Sequence, residues 1–351
     1  MEAFKPHIAA VPDYPYEHSP GTIKLDQNEN PFSLPAELRK LIGSRLAELE
    51  FGRYPEAHAE SAGAALASFE GWPAEGVVLA PGSNLLINAL AAAANGVLDT
   101  QPSFAHYAIA AEIAGTPYQA VALGPDFSLP VAELGQRMLD ASQPGICFLA
   151  NPHAPTGKFF ALEQIDTLAE IAERSGWILV VDEAYHDFAP QDYKRKALGR
   201  SQVAIMRTFS KGWGLAGVRI GYLLASPELA GIVRNLLPPF VLSAPAIAIL
   251  EVCLENPGYV TETSEQIRRE RERVYQSLLA HPNWRAYPSD TNFLLLRTPN
   301  AKAAFEALLQ EGIVVRSQDH VPGLEGCLRV TIGTPEENDR FLAAALGLAV
   351  N

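Results

Sequence analysis

The sequence predicts an α/β fold with a large domain, whose mainly parallel sheet is covered by helices, and a smaller C-terminal α/β domain. Short apolar runs typical of buried strands alternate with helix-like segments along the first two thirds of the chain, which is the pattern of βαβ units. The last third changes to shorter strands and a long charged helix. With 351 residues, the chain is also too long for one simple core, so we expect two domains.

The elements predicted for the large domain alternate between strands and helices. Its strands are short apolar runs, which favour a buried position in the sheet. The first helix is supported by its alanine and leucine content, and the second by apolar residues at helical spacing. The predicted strands are residues 77–80, 146–149, 178–181, 203–206 and 220–224, and the predicted helices are residues 85–94 and 161–175.

The smaller domain is predicted from the last third of the chain. Its elements are a charged helix over residues 261–279 and strands over residues 292–296, 313–315 and 328–332. A final helix begins with Thr334 as its N-cap, and Glu337 completes a capping box. We expect residues 30–240 to form the large cofactor-binding domain. Residues 1–29, an N-terminal arm, and residues 241–351 would form the small domain.

The composition argues against several classes of protein. A net charge of −13 disfavours nucleic acid or an anionic membrane as the main partner, and no apolar stretch is long enough to span a bilayer. The cysteines Cys147, Cys253 and Cys327 are far apart, and no Cys/His spacing is typical of a metal site. The first 16 residues contain charges and prolines but no apolar core of a signal peptide, so we expect a cytoplasmic protein.

Lys211 gives the clearest chemical signal in the sequence. It follows the predicted strand 203–206 and stands between Ser210 and a glycine-rich segment. Open α/β sheets bind ligands at the carboxyl ends of their strands. A lysine at that edge can form a Schiff base with an aldehyde cofactor, whereas a solvated surface lysine would leave the surrounding small residues unexplained.

Polar residues follow three of the predicted buried strands, namely Asn151, Asp182 and Lys211. Such groups are costly to bury without partners, so three of them in one sheet predict a shared site. An amide, a carboxylate and an amine in one cleft suit pyridoxal phosphate. Asp182 would either pair with the pyridine nitrogen or cap a helix. Asn151 and Tyr185 can hydrogen-bond the phenolic oxygen, but Asn151 before Pro152 is also typical of a turn.

A phosphate site is predicted where the first helix begins. Gly82, Ser83 and Asn84 lie between a strand and that helix, so their amides and the helix dipole would favour an anion. Turns of this kind are also common without any ligand. Ser210 and Arg219 would add a hydroxyl group and a fixed positive charge.

Two aromatic residues are candidates for stacking on the cofactor ring. Phe104 is the first choice and Tyr107 is the alternative, and core packing is the competing explanation for both. The histidines His106, His153 and His186 are expected to be structural or exposed, because a lysine released from the cofactor can transfer protons itself.

At this point the chain resembles the fold-type I pyridoxal-phosphate aminotransferases and, among them, the histidinol-phosphate aminotransferase family. The resemblance extends over nearly the whole chain. The segment around Lys211 is the most specific for the fold, while the Asn-Glu-Asn-Pro element and the Leu-Arg-Val-Thr-Ile-Gly-Thr ending indicate the subfamily. The matching segments are residues 24–31, 53–55, 151–157, 181–185, 207–222, 292–293, 312–316 and 328–334.

The resemblance implies the cofactor ligands named above, with Lys211 as both the Schiff-base lysine and the proton shuttle. It adds Tyr54, which would reach the cofactor phosphate from a second subunit and so implies a homodimer with shared active sites. Arg329 would bind the substrate carboxylate, and Asn151 would also contact the substrate. Arg316 and Tyr16 are candidates for binding the substrate's own phosphate.

The activity implied by the resemblance is transfer of an amino group between an amino donor and a 2-oxo acid. The expected reaction converts L-histidinol phosphate and 2-oxoglutarate into imidazole acetol phosphate and L-glutamate. Two departures, His153-Ala154 where the family usually has two asparagines and Asn84 where it has an aspartate, could mark a branch with another donor. The alternatives are an aromatic or broad-specificity aminotransferase and a decarboxylase such as threonine-phosphate decarboxylase.

Overall fold

The computed structural model describes residues 7–8 and 23–348, so Tyr16 and most of the predicted N-terminal arm lie outside the described residues. The strands are β1 (Ile23–Lys24), β2 (Val77–Ala80), β3 (Val97–Gln101), β4 (Tyr118–Ala122), β5 (Ile146–Ala150), β6 (Ile178–Asp182), β7 (Val203–Thr208), β8 (Gly221–Leu224), β9 (Arg285–Ala286), β10 (Phe293–Arg297), β11 (Ile313–Val314), β12 (Arg316–Ser317) and β13 (Cys327–Thr331). The α-helices are α1 (Ala36–Ala47), α2 (Glu60–Glu70), α3 (Ser83–Ala93), α4 (His106–Ala114), α5 (Val131–Asp140), α6 (Leu162–Ser175), α7 (Lys194–Ala197), α8 (Pro227–Leu236), α9 (Ala244–Glu255), α10 (Gly258–Leu279), α11 (Ala301–Gln310) and α12 (Pro335–Gly347).

The large sheet has the strand order β2-β8-β7-β6-β5-β3-β4. Strand β8 is antiparallel to both of its neighbours, and the neighbouring pairs from β7 to β4 are parallel. The predicted fold class, a mainly parallel sheet covered by helices with a further α/β lobe, is confirmed. Because β5, β6 and β7 are adjacent and parallel, the residues that follow them meet at one edge of the sheet.

Both faces of the large sheet are buried. In β5, Cys147 and Leu149 pack into one apolar cluster, while Ile146 and Phe148 pack into another. Successive side chains of a strand point to opposite faces, so the two clusters lie on opposite sides of the sheet. Burial on both faces explains why these strands are apolar throughout and could be predicted.

Strands β3 and β4 were not predicted from the sequence. Strand β3 ends in Asp99, Thr100 and Gln101, which interrupt the apolar pattern, and β4 is an edge strand with largely exposed side chains. Helix α3 also begins at Ser83 rather than at residue 85. This earlier start brings the first turn of α3 closer to the carboxyl edge of the sheet.

The C-terminal part forms a four-stranded antiparallel sheet with the order β12-β13-β10-β9, while β1 pairs in parallel with β11. The strand predicted at residues 313–315 therefore ends at Val314, and a second short strand, β12, follows it in a different sheet. The predicted capping box of α12 is confirmed. Thr334 Oγ1 accepts a hydrogen bond from the Glu337 backbone N–H at 3.3 Å, and Glu337 Oε2 accepts one from the Thr334 N–H at 2.8 Å.

The predicted division into residues 30–240 and the remainder stays a prediction. Strand β1 joins the apolar cluster of the C-terminal sheet, whereas α9 packs against α1 and α2 in a cluster of the large sheet. No helix among the described residues is long and apolar enough to cross a membrane. The three cysteines are buried and free.

Candidate active site

A cavity of about 480 Å³ opens where β5, β6 and β7 end. This volume is typical of a site for a small molecule. The final residues of these strands, Ala150, Asp182 and Thr208, all contribute to its wall. The residues predicted for the site that line this cavity are Ser83, Asn84, Phe104, Tyr107, Asp182, Tyr185, Ser210, Lys211, Arg219 and Arg329.

Lys211 lies just beyond the end of β7, and its Nζ atom donates a hydrogen bond to the Gln27 carbonyl oxygen at 2.8 Å. Burial lowers the pKa of this amine to about 7, and the positive charges of Arg329 and Arg219 act in the same direction. The Glu29 carboxylate has the opposite effect on that pKa. An amine that titrates near neutrality can both accept and release a proton at physiological pH.

Asp182 is the last residue of β6 and is almost fully buried. Its Oδ2 atom accepts a hydrogen bond from the Tyr107 hydroxyl at 2.6 Å, and its Oδ1 atom accepts one from the Ala184 backbone N–H at 3.1 Å. Burial raises the pKa of Asp182 to about 6, although both hydrogen bonds oppose this shift. The contact with Ala184 resembles the capping role considered for this residue, but the carboxylate lines the cavity as well.

The two candidate stacking residues differ in how they are held. Tyr107 is fully buried, and its ring is stacked on Phe148 with centroids 4.8 Å apart and an interplanar angle of 3°. Phe104 is half-buried and meets Tyr107 edge to face at 5.5 Å. Core packing therefore accounts for the position of the Tyr107 ring, whereas Phe104 is less enclosed.

An anion site is built at the first turn of α3. Gly82 precedes this helix with φ 79°, and a Cβ atom on it would lie 2.5 Å from Arg219 Nη2. A residue with a side chain would therefore displace the guanidinium. Arg219 Nη1 donates to Ser210 Oγ at 3.4 Å. The unpaired amides of the first helical turn, the helix dipole and this arginine together favour an anion.

Another wall of the cavity is formed by Lys24, the last residue of β1, and by Gln27, Asn28 and Glu29 of the segment that follows it. Sequence reasoning assigned no role to these residues, although they belong to the segment 24–31 that carries the family resemblance. Lys24 Nζ and Glu29 Oε2 form a half-exposed ion pair at 3.7 Å. The concentration of polar residues directly after a strand is the signal that could have identified this wall.

Asn151 is not among the residues that line the cavity. Its Oδ1 atom accepts a hydrogen bond from the Phe160 backbone N–H at 2.7 Å, and its Nδ2 atom donates to the Phe160 carbonyl oxygen at 3.3 Å. Ala154, three residues later, lines the cavity. These contacts with the Phe160 backbone agree with the turn interpretation of Asn151. The predicted contact with a phenolic oxygen stays a prediction.

Three other predicted residues also lie away from the cavity or outside the described part. Tyr54 is 82% exposed, and its ring is stacked on Phe240 at 4.7 Å. Arg316 lies on β12, directly opposite Arg329 of β13. Tyr16 lies outside the described residues.

Behind the cavity, Arg207 holds a buried ion cluster that sequence reasoning did not identify. Its guanidinium contacts Glu183 at 2.7 Å, Asp192 at 2.8 Å and Glu70 at 3.0 Å. Burial alone would raise the pKa of Glu70, but Arg207 and further hydrogen bonds lower it to about 2. Because Arg207 belongs to β7 and Glu183 directly follows β6, the cluster fixes the two strand ends that carry the site.

Comparison with known proteins identifies the family of this chain. The family described as aminotransferase class I and II matches residues 20–345. The chain belongs to the aminotransferase class I and II family. Within this family, it is 44% identical over 344 residues to a histidinol-phosphate aminotransferase of Deinococcus radiodurans, which covers 97% of this chain and 95% of that relative.

Solved structures of this aminotransferase fold agree with the architecture. A histidinol-phosphate aminotransferase from Clostridium acetobutylicum has a TM-score of 0.87 at 23% identity and covers 94% of this chain and 99% of its own. The enzyme from Sinorhizobium meliloti, solved in complex with pyridoxal-5'-phosphate, has a TM-score of 0.86 at 23% identity. It covers 100% of this chain and 98% of its own. At such identities the likeness concerns the fold, and the predicted fold type is confirmed.

The predictions of family and enzyme class are confirmed by these comparisons. The chain is an aminotransferase, an enzyme that takes an amino donor and a 2-oxo acid as substrates. The family match also supports the predicted cofactor, pyridoxal phosphate.

Proposed function

We propose that this aminotransferase converts L-histidinol phosphate and 2-oxoglutarate into imidazole acetol phosphate and L-glutamate, with pyridoxal phosphate as its cofactor. The identity to the Deinococcus radiodurans enzyme, 44% over 97% of the chain, supports these substrates. The observation that carries the proposal is the meeting of Lys211, Asp182 and Arg219 in one cavity. An amine, a carboxylate and an anion site are what a phosphorylated pyridine aldehyde requires.

The cavity fits the cofactor at its two ends. At one end, Arg219 stays beside the first turn of α3 because Gly82 has no side chain, which suits a phosphate group. At the other end, the buried Asp182 carboxylate would accept the N–H of a protonated pyridine ring and raise the pKa of that nitrogen. The proposed phosphate ligands are Ser83, Asn84, Ser210 and Arg219.

The ring between these ends would be held by aromatic and hydroxyl groups. We assign stacking to Phe104, because the Tyr107 ring is already stacked on Phe148 and its hydroxyl is bonded to Asp182. Tyr107 would then orient the carboxylate that holds the ring nitrogen. We assign the phenolic oxygen to Tyr185, which lines the cavity 5.9 Å from Lys211 Nζ, measured to its ring centroid.

Proton transfer is the chemical role proposed for Lys211. When bound, pyridoxal phosphate supplies an electron sink that stabilises negative charge on the reacting carbon of the substrate. Lys211 would hold the aldehyde carbon of the cofactor through its amine and, when free, would move a proton to and from the reacting carbon. Its pKa of about 7, lowered by burial, suits a group that must do both.

Anion binding by arginine would orient the substrates. Arg329 lines the cavity, and its Nη2 atom donates to the Asp26 carbonyl oxygen at 2.7 Å, which fixes the direction of the guanidinium. We assign the glutamate carboxylate to Arg329, since a guanidinium can bind a carboxylate through two parallel hydrogen bonds. Arg316 and Tyr16 remain the proposed ligands of the substrate phosphate.

A homodimer with shared active sites is part of the proposal. Tyr54 and Phe240, whose rings stack at 4.7 Å, are exposed by 82% and 42%, and Phe51, three residues before Tyr54, is exposed by 71%. Exposed aromatic rings of this kind are typical of an interface. Tyr54 would reach the cofactor phosphate of the second subunit across a two-fold axis. We also propose a cytoplasmic location and a boundary between the two domains near residues 30 and 241.

A half-reaction panel on the purified protein tests the proposed function. The visible absorbance of the bound cofactor is followed as histidinol phosphate, glutamate, phenylalanine, tyrosine and aspartate are added one at a time. Conversion by histidinol phosphate and glutamate alone is the expected result. Faster conversion by phenylalanine or tyrosine would favour the broad-specificity alternative, and no conversion by any donor would favour a decarboxylase. Lys211→Ala is the control and should lose both the visible band and all conversion.

A further inference from the structure

Asn28 is buried, and hydrogen bonds to residues far away in the sequence fix its backbone. It is 1% exposed, and its φ of 54° lies in the left-handed region. Its backbone N–H donates to Thr331 Oγ1 at 2.9 Å, and its carbonyl oxygen accepts from Asn292 Nδ2 at 3.0 Å. Both partners belong to the C-terminal sheet region, so residues distant in the chain fix the backbone of Asn28.

The same contacts determine the orientation of the Asn28 amide. Thr331 Oγ1 accepts the Asn28 backbone N–H, and its own proton is donated to Asn28 Oδ1 at 3.1 Å. The other end of the amide, Nδ2, therefore donates to the Tyr185 hydroxyl oxygen at 2.8 Å. Because an amide nitrogen only donates, Tyr185 must give its proton to an acceptor other than Asn28.

We propose that Asn28 is a positioning residue that directs the Tyr185 proton toward the phenolic oxygen of the bound cofactor. This inference rests on the proposed function, because it requires pyridoxal phosphate in the cavity. The Asn151 amide is bonded to the Phe160 backbone, and Ala154 forms the adjacent part of the wall, so the structure holds Tyr185 and not Asn151 through Asn28.

A directed hydrogen bond at this oxygen has a measurable consequence. Donation from Tyr185 stabilises negative charge on the phenolic oxygen and weakens its attraction for the titrating proton of the cofactor chromophore. Asn28 therefore lowers the pKa of that chromophore through Tyr185. A residue that only held the chain segment in place would change the stability of the protein and leave the chromophore pKa unaltered.

The experiment is a pH titration of the visible absorbance of the cofactor-loaded protein without substrate. Asn28→Gly removes the amide, and glycine tolerates the left-handed backbone. We expect it to raise the chromophore pKa by about 0.5 unit, and Tyr185→Phe to raise it by about 1 unit, as for the loss of a modest hydrogen bond. In the Tyr185→Phe protein, Asn28→Gly should add no further shift.

Asn338→Ala is the matched control. Asn338 is also a buried asparagine whose amide is bonded at both ends, to Gly333 and Glu270, but it does not line the cavity. The Asn338→Ala substitution should lower Tm and leave the chromophore pKa unchanged. An unchanged pKa in Asn28→Gly, or a shift that persists fully in the Tyr185→Phe background, overturns the inference alone. A wild-type protein with no visible band after loading overturns the proposed function as well.

Discussion

Arg316 and Arg329 are register partners on the adjacent antiparallel strands β12 and β13. Side chains at opposed positions of such a pair share one face of the sheet, where like charges destabilise each other. A substrate anion that approaches both guanidinium groups would offset this repulsion. The arrangement therefore suits a pocket that must hold a carboxylate when glutamate binds and a phosphate when histidinol phosphate binds.

Replacing each arginine in turn should show which of the two anions, the carboxylate or the phosphate, that arginine binds. A lysine keeps the charge but loses the planar pair of donors, and one charge-assisted hydrogen bond corresponds to about 10- to 100-fold in affinity. We expect Arg329→Lys to raise KM for glutamate by that factor, and Arg316→Lys to affect histidinol phosphate more than glutamate. Half-reaction kinetics with each donor give the comparison. Equal losses for both donors in Arg316→Lys would contradict a phosphate-binding role.

The low pKa of Lys211 predicts a pH-dependent stability of the cofactor-free protein. Between pH of about 7 and 10.5, the unfolded chain binds a proton that the folded chain does not. Stability should therefore increase with pH in this window, by at most about 1.4 kcal/mol per pH unit, and Lys211→Met should remove that contribution. Urea unfolding of both apoproteins from pH 6 to 10 provides the measurement. A slope that is the same in both proteins would exclude a low pKa for Lys211.

The raised pKa of Asp99 leads us to expect the opposite dependence of protein stability on pH. Asp99 is 1% exposed on β3, accepts hydrogen bonds from Ser103 Oγ at 2.8 Å and Tyr118 Oη at 3.2 Å, and burial raises its pKa to about 8. Between pH of about 4 and 8 the folded state binds the extra proton, so stability should decrease as pH rises. Asp99→Asn imitates the protonated acid and should remove this decrease.

The Asp99 prediction is checked by comparing wild type and Asp99→Asn in urea unfolding at pH 5 and pH 8. The difference in stability between the two pH values should be larger for the wild type. A variant that is less stable than the wild type by the same amount at both pH values would indicate lost hydrogen bonds without any titration of Asp99.

The sequence was most informative where chemistry follows directly from a buried strand. Lys211 and Asp182 could be predicted because apolar runs mark β6 and β7, and parallel strands bring their carboxyl ends together. The contact between Asn28 and Tyr185 could not be predicted from the sequence, because it depends on how the C-terminal sheet packs against the segment after β1. For Asn151, a turn residue and a cofactor ligand give the same local sequence pattern, so the sequence could not choose between them; in the structure its Oδ1 atom accepts a hydrogen bond from the Phe160 backbone N–H.

Gly82 should be required for cofactor binding. A Cβ atom there would meet Arg219 Nη2 at 2.5 Å, and the φ of 79° disfavours any side chain. We expect Gly82→Ala to weaken cofactor affinity by at least about 10-fold, the equivalent of one displaced charge-assisted contact. Gly71→Ala is the control, because Gly71 has φ 64° but open space around its Cβ position. Equilibrium dialysis should give weaker binding for Gly82→Ala and unchanged binding for Gly71→Ala.

Tyr54 should act in the active site of the partner subunit. Among the described residues it contacts Phe240 on an exposed surface and does not line the cavity of its own chain. Homodimers of Lys211→Ala or Tyr54→Ala should therefore have little activity. In a hybrid dimer, the Tyr54→Ala subunit keeps its own Lys211 and receives the intact Tyr54 of its partner, which restores one complete site.

The hybrid is made by unfolding and refolding the two variants together in equal amounts. Random pairing gives half hybrid dimers with one complete site each, so about a quarter of the wild-type transamination rate should return. The rate of the two variants mixed without refolding is the baseline. Recovery above this baseline requires Tyr54 to serve the other subunit, whereas a refolded mixture that stays at the baseline would mean that Tyr54 acts within its own chain or has no part in binding the cofactor phosphate.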